Sequence, residues 1–281
     1  MRITPLAASL ALGLASLTPV ALAADPWADA VVSYDPGSNP VPGFVTSSAA
    51  LGAPTRYTSP PPALYGGVVT PLNSSFGTDE SVSIGVGGSL VLSFAEPVTN
   101  HPLNPFGIDL LIFGNSFLTG NFSNPDYSFN PAGIVAGVDS EGGKIEISAD
   151  GLTYYEIAGN ADGLFPTNAY ADVTDPFATT PGLVETDFTR PVDPAFSVIG
   201  KTFAEVIAGY SGAGGGFGID IGSIGLSNIS YVKITNPAGS GVTPEIDAIA
   251  DVRAVPEPAT LALLAIAGIG LGINARTRRS R

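Results

Sequence analysis

Short runs of β-branched and aromatic residues, separated by glycine and proline, constrain the fold of this chain more than any other feature. The sequence contains 35 glycines and 25 prolines in 281 residues. Such residues mark turns, and the short runs between them are typical of strands. The pattern predicts an all-β, antiparallel β-sandwich. We expect strands near residues 30–34, 81–86, 89–94, 108–113, 144–149, 153–158, 230–235 and 245–252.

The clearest predicted strand alternates between polar and apolar residues. Ile145 and Ile147 share one face, and the polar residues around them share the other. This alternation is typical of an antiparallel sheet with one solvated face. Asp150 and Gly151 follow as a turn signal. We therefore expect a β-hairpin that returns through residues 153–158.

One short helix is expected after Thr202. The Thr202 hydroxyl can cap residues 203–208, and Glu205 completes a capping box. Gly209 or Gly212 is expected to end the helix. A single short helix among many strands favours a β-sandwich over an α/β fold.

Two long stretches, residues 36–69 and 160–200, show no strand or helix period. Loops of this length in a compact domain are usually binding surfaces or poorly ordered segments. We therefore expect functional residues in these stretches.

The N-terminal residues 1–23 have the pattern of a signal peptide. Arg2 precedes an apolar stretch at 6–17, and Ala21-Leu22-Ala23 forms an A-x-A cleavage site. The sequence is thus divided into a signal peptide (1–23), an exported β-sandwich domain (24–254) and a C-terminal segment (255–281).

Charge and cysteine content exclude several function classes. Residues 24–254 contain six Lys and Arg and twenty-four Asp and Glu, a net charge of −18. Such a surface repels nucleic acid and attracts divalent cations. The chain contains no cysteine, which excludes disulfides, thiolate catalysis and Cys-type zinc sites.

The C-terminal segment combines three features in order. Pro256, Glu257 and Pro258 precede an apolar run at 259–273. As a helix this run would be about 22 Å long, short against a hydrocarbon core of about 30 Å. Arginines near a membrane segment are retained on the cytoplasmic side. The basic end consists of Arg276, Arg278, Arg279 and Arg281.

This order of features resembles the PEP-CTERM sorting signal of Gram-negative bacteria. The resemblance implies Pro256, Glu257, Pro258, Arg278 and Arg279 as sorting and processing residues. It also implies that exosortase, a membrane protease, cleaves near the Pro-Glu-Pro. The implied partners are exosortase, the export machinery and, transiently, the inner membrane. The implied destination is the cell surface, outer envelope or extracellular matrix. An ordinary membrane anchor is the alternative.

A second resemblance covers most of residues 24–254. The chain looks like a recurrent ectodomain of PEP-CTERM surface proteins, which is similar to jelly-roll, galactose-binding-like sandwiches. The segments that carry this likeness are 107–115, 144–151, 187–194, 214–222, 231–234 and 245–248. Such folds host sugar binding, adhesion and scaffolding alike.

Three functions are therefore open. The leading hypothesis is a non-catalytic surface or matrix protein that binds glycan or exopolysaccharide. A structural or adhesive protein that binds other proteins is the alternative. A glycoside-acting enzyme is the third, and it would need two close carboxylates in a cleft. The single histidine, His101, lies in a polar turn, and no serine lies in a G-x-S-x-G elbow. No catalytic residue is assigned.

Carboxylates in the last predicted strand point to calcium. Alternation would place Glu245, Asp247 and Ile249 on one face. A carboxylate beside a buried isoleucine needs a partner. Jelly-roll sugar-binding modules often place a structural calcium near the last strand, so the resemblance implies Asp247, with Asp109 or Asp220, as ligands. Glu245, on the same strand face as Asp247, is a further candidate ligand. The alternative is that these acids are solvated or accept hydrogen bonds from backbone amides.

Sugar binding would use aromatic faces that stack on pyranose rings. The candidates lie in segments without a clear strand pattern. They are Tyr127, Phe165, Tyr170 and Phe177. The alternative is that these aromatic residues belong to the core.

Overall fold

The computed structural model describes residues 25–59 and 66–253. In these residues the helix α1 spans Phe203–Tyr210. The strands are β1 (Ala30–Asp35), β2 (Tyr57–Thr58), β3 (Gly67–Val68), β4 (Val82–Ser83), β5 (Ser89–Thr99), β6 (Leu110–Gly114), β7 (Phe117–Gly120), β8 (Val135–Asp139), β9 (Lys144–Ser148), β10 (Tyr155–Ile157), β11 (Phe217–Ile219), β12 (Asn228–Thr235) and β13 (Glu245–Asp251). Short 3-10 turns span Ser47–Ala50, Pro105–Gly107 and Ile221–Ile224.

Two antiparallel sheets form the body of the protein. The first has five strands in the order β1-β5-β12-β9-β10, and the second has four in the order β11-β6-β13-β4. Two small pairs, β2 with β3 and β7 with β8, lie outside them. The predicted all-β class with antiparallel sheets and one short helix is confirmed.

The main core lies between the two sheets. Leu92 of β5 and Val232 of β12 come from the five-stranded sheet, and Ile112 of β6 and Ile246 of β13 come from the four-stranded one. All four are fully buried. Full burial of one such side chain contributes about 1.5 to 3 kcal/mol, so this shared cluster holds the sheets face to face.

The four-stranded sheet is also covered on its outer face. Phe113 of β6 and Ala248 of β13 pack there with Phe188. The rings of Phe113 and Phe188 meet edge to face at 5.4 Å. Phe188 belongs to the long stretch 160–200, so part of that stretch is a packed cover over the sheet.

The predicted hairpin is confirmed. Strands β9 and β10 pair with Tyr155 opposite Ile147. The Asp150 carboxylate organises the turn, since its Oδ1 accepts from the backbone N–H of Thr153 at 2.8 Å. Gly151 adopts φ 72, a left-handed conformation that glycine tolerates.

The capping box of α1 is confirmed. Thr202 Oγ1 accepts from the Glu205 N–H at 3.3 Å, and Glu205 Oε2 accepts from the Thr202 N–H at 2.8 Å. The helix does not end at Gly209 as one reading predicted. It continues to Tyr210, and Ser211 follows at φ 53. Glycine at 209 is required by packing, because a Cβ there would collide with the Phe196 ring.

Candidate functional site

A cavity lies beyond each end of the strand pair β6–β13. In this pair Leu110 lies opposite Asp251, and Gly114 lies opposite Ile246. At about 3.4 Å per residue, the two ends are about 14 Å apart. Because the strands are antiparallel, residues just before β6 and just after β13 meet at the Leu110 end. Residues just after β6 and just before β13 meet at the Gly114 end.

The larger cavity lies beyond the Leu110 end and measures about 820 Å³. All three arginines of residues 24–254 line it. Its volume falls in the range of about 300 to 1,000 Å³ that is usual for ligand sites. We call it the arginine cleft, lined by Pro26, Trp27, Arg56, Pro105, Phe106, Thr186, Asp187, Phe188, Thr189, Arg190 and Arg253.

The Arg56 side chain lines the arginine cleft and is held in place by contacts on several sides. Its Nη2 donates to the Thr186 carbonyl at 2.8 Å, and its Nη1 donates to the Ala169 carbonyl. The guanidinium carbon lies 4.1 Å from the centre of the Phe188 ring, within cation–π range. Its Nε lies 3.5 Å from Glu185 Oε2. These contacts give Arg56 a structural role.

Arg190 and Arg253 are exposed at the arginine cleft. The one acidic lining residue, Asp187, directs its Oδ1 to the N–H and hydroxyl of Thr189, at 2.9 and 2.7 Å. Three arginines and one aspartate leave the lining with a net charge of +2. Guanidinium groups pair with carboxylates through two parallel hydrogen bonds, so this lining suits an anionic ligand.

Aromatic side chains accompany the arginines. Phe106 is 56% exposed, and Trp27 is partly exposed. Phe106 has φ 59, a left-handed conformation that costs a bulky residue about 1 to 3 kcal/mol. Exposed rings beside arginines can stack on a sugar ring while the guanidinium groups bind its charge.

The smaller cavity lies beyond the Gly114 end of the strand pair and measures about 230 Å³. We call it the carboxylate cavity. Its lining contains four acids and no basic residue, histidine or cysteine. The lining residues are Val41, Phe44, Phe76, Asn115, Ser116, Phe117, Asp139, Glu141, Asp162 and Glu245.

Asp162 is built into the wall of the carboxylate cavity. It is fully buried, and its Oδ1 and Oδ2 accept from the N–H groups of Asn115 at 3.0 Å and Glu141 at 2.7 Å. Burial raises the pKa of Asp162 to about 7, although these N–H groups oppose the shift. Glycine at 114 makes room, because a Cβ there would collide with Asp162 Oδ1.

Glu245 begins β13 and is 3% exposed. Its carboxyl is hydrogen-bonded to the Glu141 side chain and to the Ser83 side chain. Burial, followed by the neighbouring Glu141 carboxylate, raises the pKa of Glu245 to about 10. The ionised form is therefore stable only if a positive charge joins it.

The four predicted calcium ligands do not converge. Asp109 and Asp220 lie beyond the Leu110 end, where the Asp109 N–H donates to the carbonyl of the residue before Asp220 at 2.8 Å. Glu245 begins β13 at the other end. Among the described residues, no group of three or more His, Cys, Asp and Glu side chains is arranged to hold a metal ion. The described structure therefore does not arrange Asp247 with Asp109 or Asp220 as a metal site, and calcium binding itself stays a prediction.

Two of these predicted ligands are satisfied by the chain itself. Asp109 accepts from Asn104 Nδ2 at 2.7 Å and from the Ile221 N–H at 3.1 Å. Asp247 accepts from the N–H and the hydroxyl of Thr55, both at 3.0 Å. These carboxylates therefore tie distant segments to the sheet, as the alternative interpretation expected.

A β-bulge at Asp247 breaks the regular alternation of side chains along β13. The register of β13 against β6 shifts between Ile246 and Ala248. As a result Ile246 and Ile249 both face the main core, while Ala248 faces the outer cluster. The predicted shared face of Asp247 and Ile249 is wrong because the bulge inserts one residue into the period.

The four predicted sugar-stacking aromatics are not gathered into one platform. Phe165 is buried against Tyr210, with ring centres 5.9 Å apart. Tyr170 is buried in a separate cluster with Val68. Both belong to cores, as the alternative interpretation expected. Tyr127 is 92% exposed and Phe177 is also exposed, but neither lines the cavities described above.

Apart from Glu245, sequence reasoning missed the residues that line the two cavities. The arginine cleft brings together Arg56, Arg190 and Arg253, which are far apart in the chain. No local motif contains them. The only feature of the sequence that could have drawn attention to them is that residues 24–254, which are strongly acidic, contain just three arginines. Glu141 and Asp162 carry no comparable signal.

The predicted sorting residues, the C-terminal apolar helix and the signal peptide lie outside the described residues. Within the described part of the chain, no helix has the combined length and apolar character needed to cross a membrane.

Comparison with known proteins identifies the C-terminal segment. Residues 254–279 match the family described as the PEP-CTERM protein-sorting motif. The chain has no match among curated proteins or among solved structures. The match covers the Pro-Glu-Pro triplet, the apolar run and most of the basic end. The protein is therefore an exported, membrane-processed substrate of exosortase that carries a PEP-CTERM sorting motif.

Proposed function

We propose that the protein is a non-catalytic surface or matrix protein that binds a carboxylated polysaccharide in the arginine cleft. The observation that carries this proposal is the gathering of all three arginines of residues 24–254 in one cleft. The rest of this region is strongly acidic, with a net charge of −18. An anionic polymer is repelled elsewhere and attracted at this place.

The geometry of the arginine cleft fits an acidic sugar polymer. Arg190 and Arg253 are exposed and can pair with uronate carboxylates. Phe106 and Trp27 offer aromatic surface for the apolar faces of sugar rings.

Binding of the processed form, residues 24–254, to polygalacturonate tests the proposal. This form retains every described strand and the helix. Neutral dextran serves as the uncharged comparison. We expect polygalacturonate to bind and dextran to bind weakly. Arg190→Ala and Arg253→Ala should each weaken binding about fivefold to tenfold, equivalent to about 1 to 1.4 kcal/mol.

Lys201→Ala is the matched control, since it removes one positive charge outside the cleft lining. It should leave affinity nearly unchanged. Equal losses in the three variants, or no polygalacturonate binding, would contradict the proposal and favour an adhesive protein that binds other proteins. Release of reducing ends from the polymer would favour the third hypothesis, a glycoside-acting enzyme.

A further inference from the structure

The first and the last segments that the structure describes lie side by side at the arginine cleft. Trp27 lies opposite Ala250 in an antiparallel bridge, and the Asp251 N–H donates to the Pro26 carbonyl at 2.7 Å. Pro26 and Trp27 also line the cleft. The segment near the start of the exported region therefore pairs with the strand that leads to the sorting motif.

The chain stays fixed to the fold until it reaches the sorting motif. Val252 is 3% exposed, and its N–H donates to the Asp109 carbonyl at 2.9 Å. The next N–H, of Arg253, donates to the Thr189 carbonyl at 3.3 Å, and Arg253 and Thr189 both line the arginine cleft. The family match begins one residue later, at 254. The cleft is therefore contiguous with the segment that is processed at the membrane.

The connection between the arginine cleft and the apolar run of the motif is short. The run begins at Ala259, six residues after Arg253. Each residue spans at most about 3.6 Å, so the connection reaches at most about 22 Å, whatever its conformation. A domain of about 230 residues has a radius of gyration of about 17 Å, equivalent to a sphere of about 22 Å radius. Because headgroups occupy part of this reach, the attachment point stays in the half of the domain that faces the membrane.

We propose that the arginine cleft faces the membrane surface in the uncleaved precursor, and that cleavage near Pro256 is the step that exposes it. The apolar run at 259–273 holds the precursor in the bilayer, and the short connection fixes which face of the domain lies toward the lipid. Pro256 is three residues from Arg253, at most about 11 Å. Exosortase therefore acts on a bond beside the cleft, and cleavage removes the attachment to the membrane.

The length of the connection, and not charge, sets this orientation. The lining of the cleft has a net charge of +2. A neighbouring cavity of about 380 Å³ shares Pro26 and Arg253 with the cleft and adds the carboxylates of Asp25, Glu96 and Asp251. These three negative charges bring the sum over the two linings to −1. Attraction to anionic lipid is therefore weak, and we expect the orientation to persist at high salt.

The consequence for polysaccharide rests on the proposed function. In the precursor the cleft lies in a gap of less than about 22 Å above the hydrocarbon core. An anionic polymer that enters this gap meets anionic headgroups, which repel it. Binding in the cleft is therefore a property of the released protein, and processing precedes binding.

Energy transfer from tryptophan to the lipid surface tests the orientation without any polysaccharide. Trp27 is the one tryptophan of the chain and lines the cleft. Residues 24–281 are placed in nanodiscs of phosphatidylethanolamine and phosphatidylglycerol in which some headgroups carry a dansyl group. Transfer to dansyl falls steeply with distance. We expect strong transfer from Trp27, unchanged by about 0.5 M NaCl.

A second reporter and a spacer separate orientation from simple attachment. Trp27→Phe combined with Val242→Trp moves the reporter beyond the other end of β13, to a position that is 39% exposed. Its transfer should be weaker, because the length of β13, about 20 Å, separates the two reporters. A spacer of about twenty Gly and Ser residues after Arg253, about 25 Å in root-mean-square length, should lower transfer from Trp27 about twofold. The same spacer appended after Arg281 is the control and should leave transfer unchanged.

Equal transfer from the two reporters would overturn the proposal. So would transfer from Trp27 that the spacer after Arg253 does not lower.

Polygalacturonate binding gives a second readout. The processed form, residues 24–254, should bind at least about fivefold more tightly than the precursor in nanodiscs, and the variant with the spacer after Arg253 should regain most of the difference. Equal affinity of the precursor and the processed form would also overturn the proposal. A processed form that does not bind the polymer, together with unequal transfer from the two reporters, would support the orientation and contradict the proposed function alone.

Discussion

The arginine cleft and the carboxylate cavity lie at opposite ends of one strand pair. The cleft is lined by arginines of which two are exposed, and the cavity is lined by acids of which two are buried. Arg190 and Arg253 are exposed, whereas Glu245 and Asp162 are buried. Two unit charges 4 Å apart interact by about 1 kcal/mol in water and by about 4 kcal/mol at an effective dielectric constant of 20. Substitutions in the carboxylate cavity should therefore change stability, and those of exposed cleft residues should change binding.

The largest expected effect is at Gly114, which closes the strand pair at the carboxylate cavity. In Gly114→Ala the new Cβ would lie 2.7 Å from the carbonyl oxygens of both Asp162 and Glu245. We expect a loss of about 3 kcal/mol in the free energy of unfolding, measured by urea denaturation. Gly137→Ala is the control, because its Cβ would meet only the movable Thr119 hydroxyl, at 3.1 Å. Similar losses in the two variants would contradict this role for Gly114.

The second prediction separates the arginines of the cleft by role. Arg56→Ala removes donors to the buried residues Ala169 and Thr186. We expect a loss of about 2 to 3 kcal/mol in the free energy of unfolding. Arg190→Ala should change it by less than about 0.5 kcal/mol, because Arg190 is exposed. Equal stability of the two variants would show that Arg56 is not structural.

The third prediction concerns pH and Asp251, at the arginine-cleft end of β13. Burial, followed by the charge of Asp109, raises the pKa of Asp251 from 3.8 to about 6, and Arg253 opposes the shift. Because the folded pKa is raised, ionisation costs stability as pH rises from about 4 through 6. Asp251→Asn should therefore stabilise the fold at pH 8 by about 1 to 2 kcal/mol, discounted for partial exposure.

The gain from Asp251→Asn should shrink as the pH falls below 6 and be smallest near pH 4. Thermal unfolding at pH 8 and pH 5 measures the difference. Asp175→Asn, an exposed substitution, is the control and should be neutral at both values. A gain that does not depend on pH would contradict the proposed cause.

The fourth prediction concerns Phe106, where a substitution should alter binding more than stability. Glycine tolerates the left-handed φ of 59 at this position. Phe106→Gly should leave the free energy of unfolding unchanged or raise it by up to about 1 kcal/mol. It should also weaken polygalacturonate binding about threefold to tenfold, because a stacking surface is lost. Unchanged affinity would remove Phe106 from the site.

Features that depend on neighbouring residues were well predicted from the sequence. The β9–β10 hairpin follows from alternation and a turn carboxylate, and the start of α1 follows from a capping box between Thr202 and Glu205. In each case the interacting groups lie within a few residues of one another. Local hydrogen bonds and side-chain period then decide the structure.

Features that depend on distant partners were not predicted. Strands β2, β3 and β11 have only two or three residues each, too few for a recognisable period. The β7–β8 pair is longer but is interrupted by a register shift at Gly120. The bulge at Asp247 likewise reversed the expected faces of β13. Such irregularities reflect contacts across the sheet, which a local pattern does not contain.

The sequence alone determined the all-β class, the hairpin, the capped helix and the PEP-CTERM motif at residues 254–279. These depend on residue type and on spacing over short distances. Only the tertiary structure decided which charges meet. The fold gathers Arg56, Arg190 and Arg253 in one cleft at one end of the strand pair β6–β13 and buries Glu245 beside Glu141 at the other end. The environment of a charge depends on what the fold places around it, and sequence distance does not reveal that.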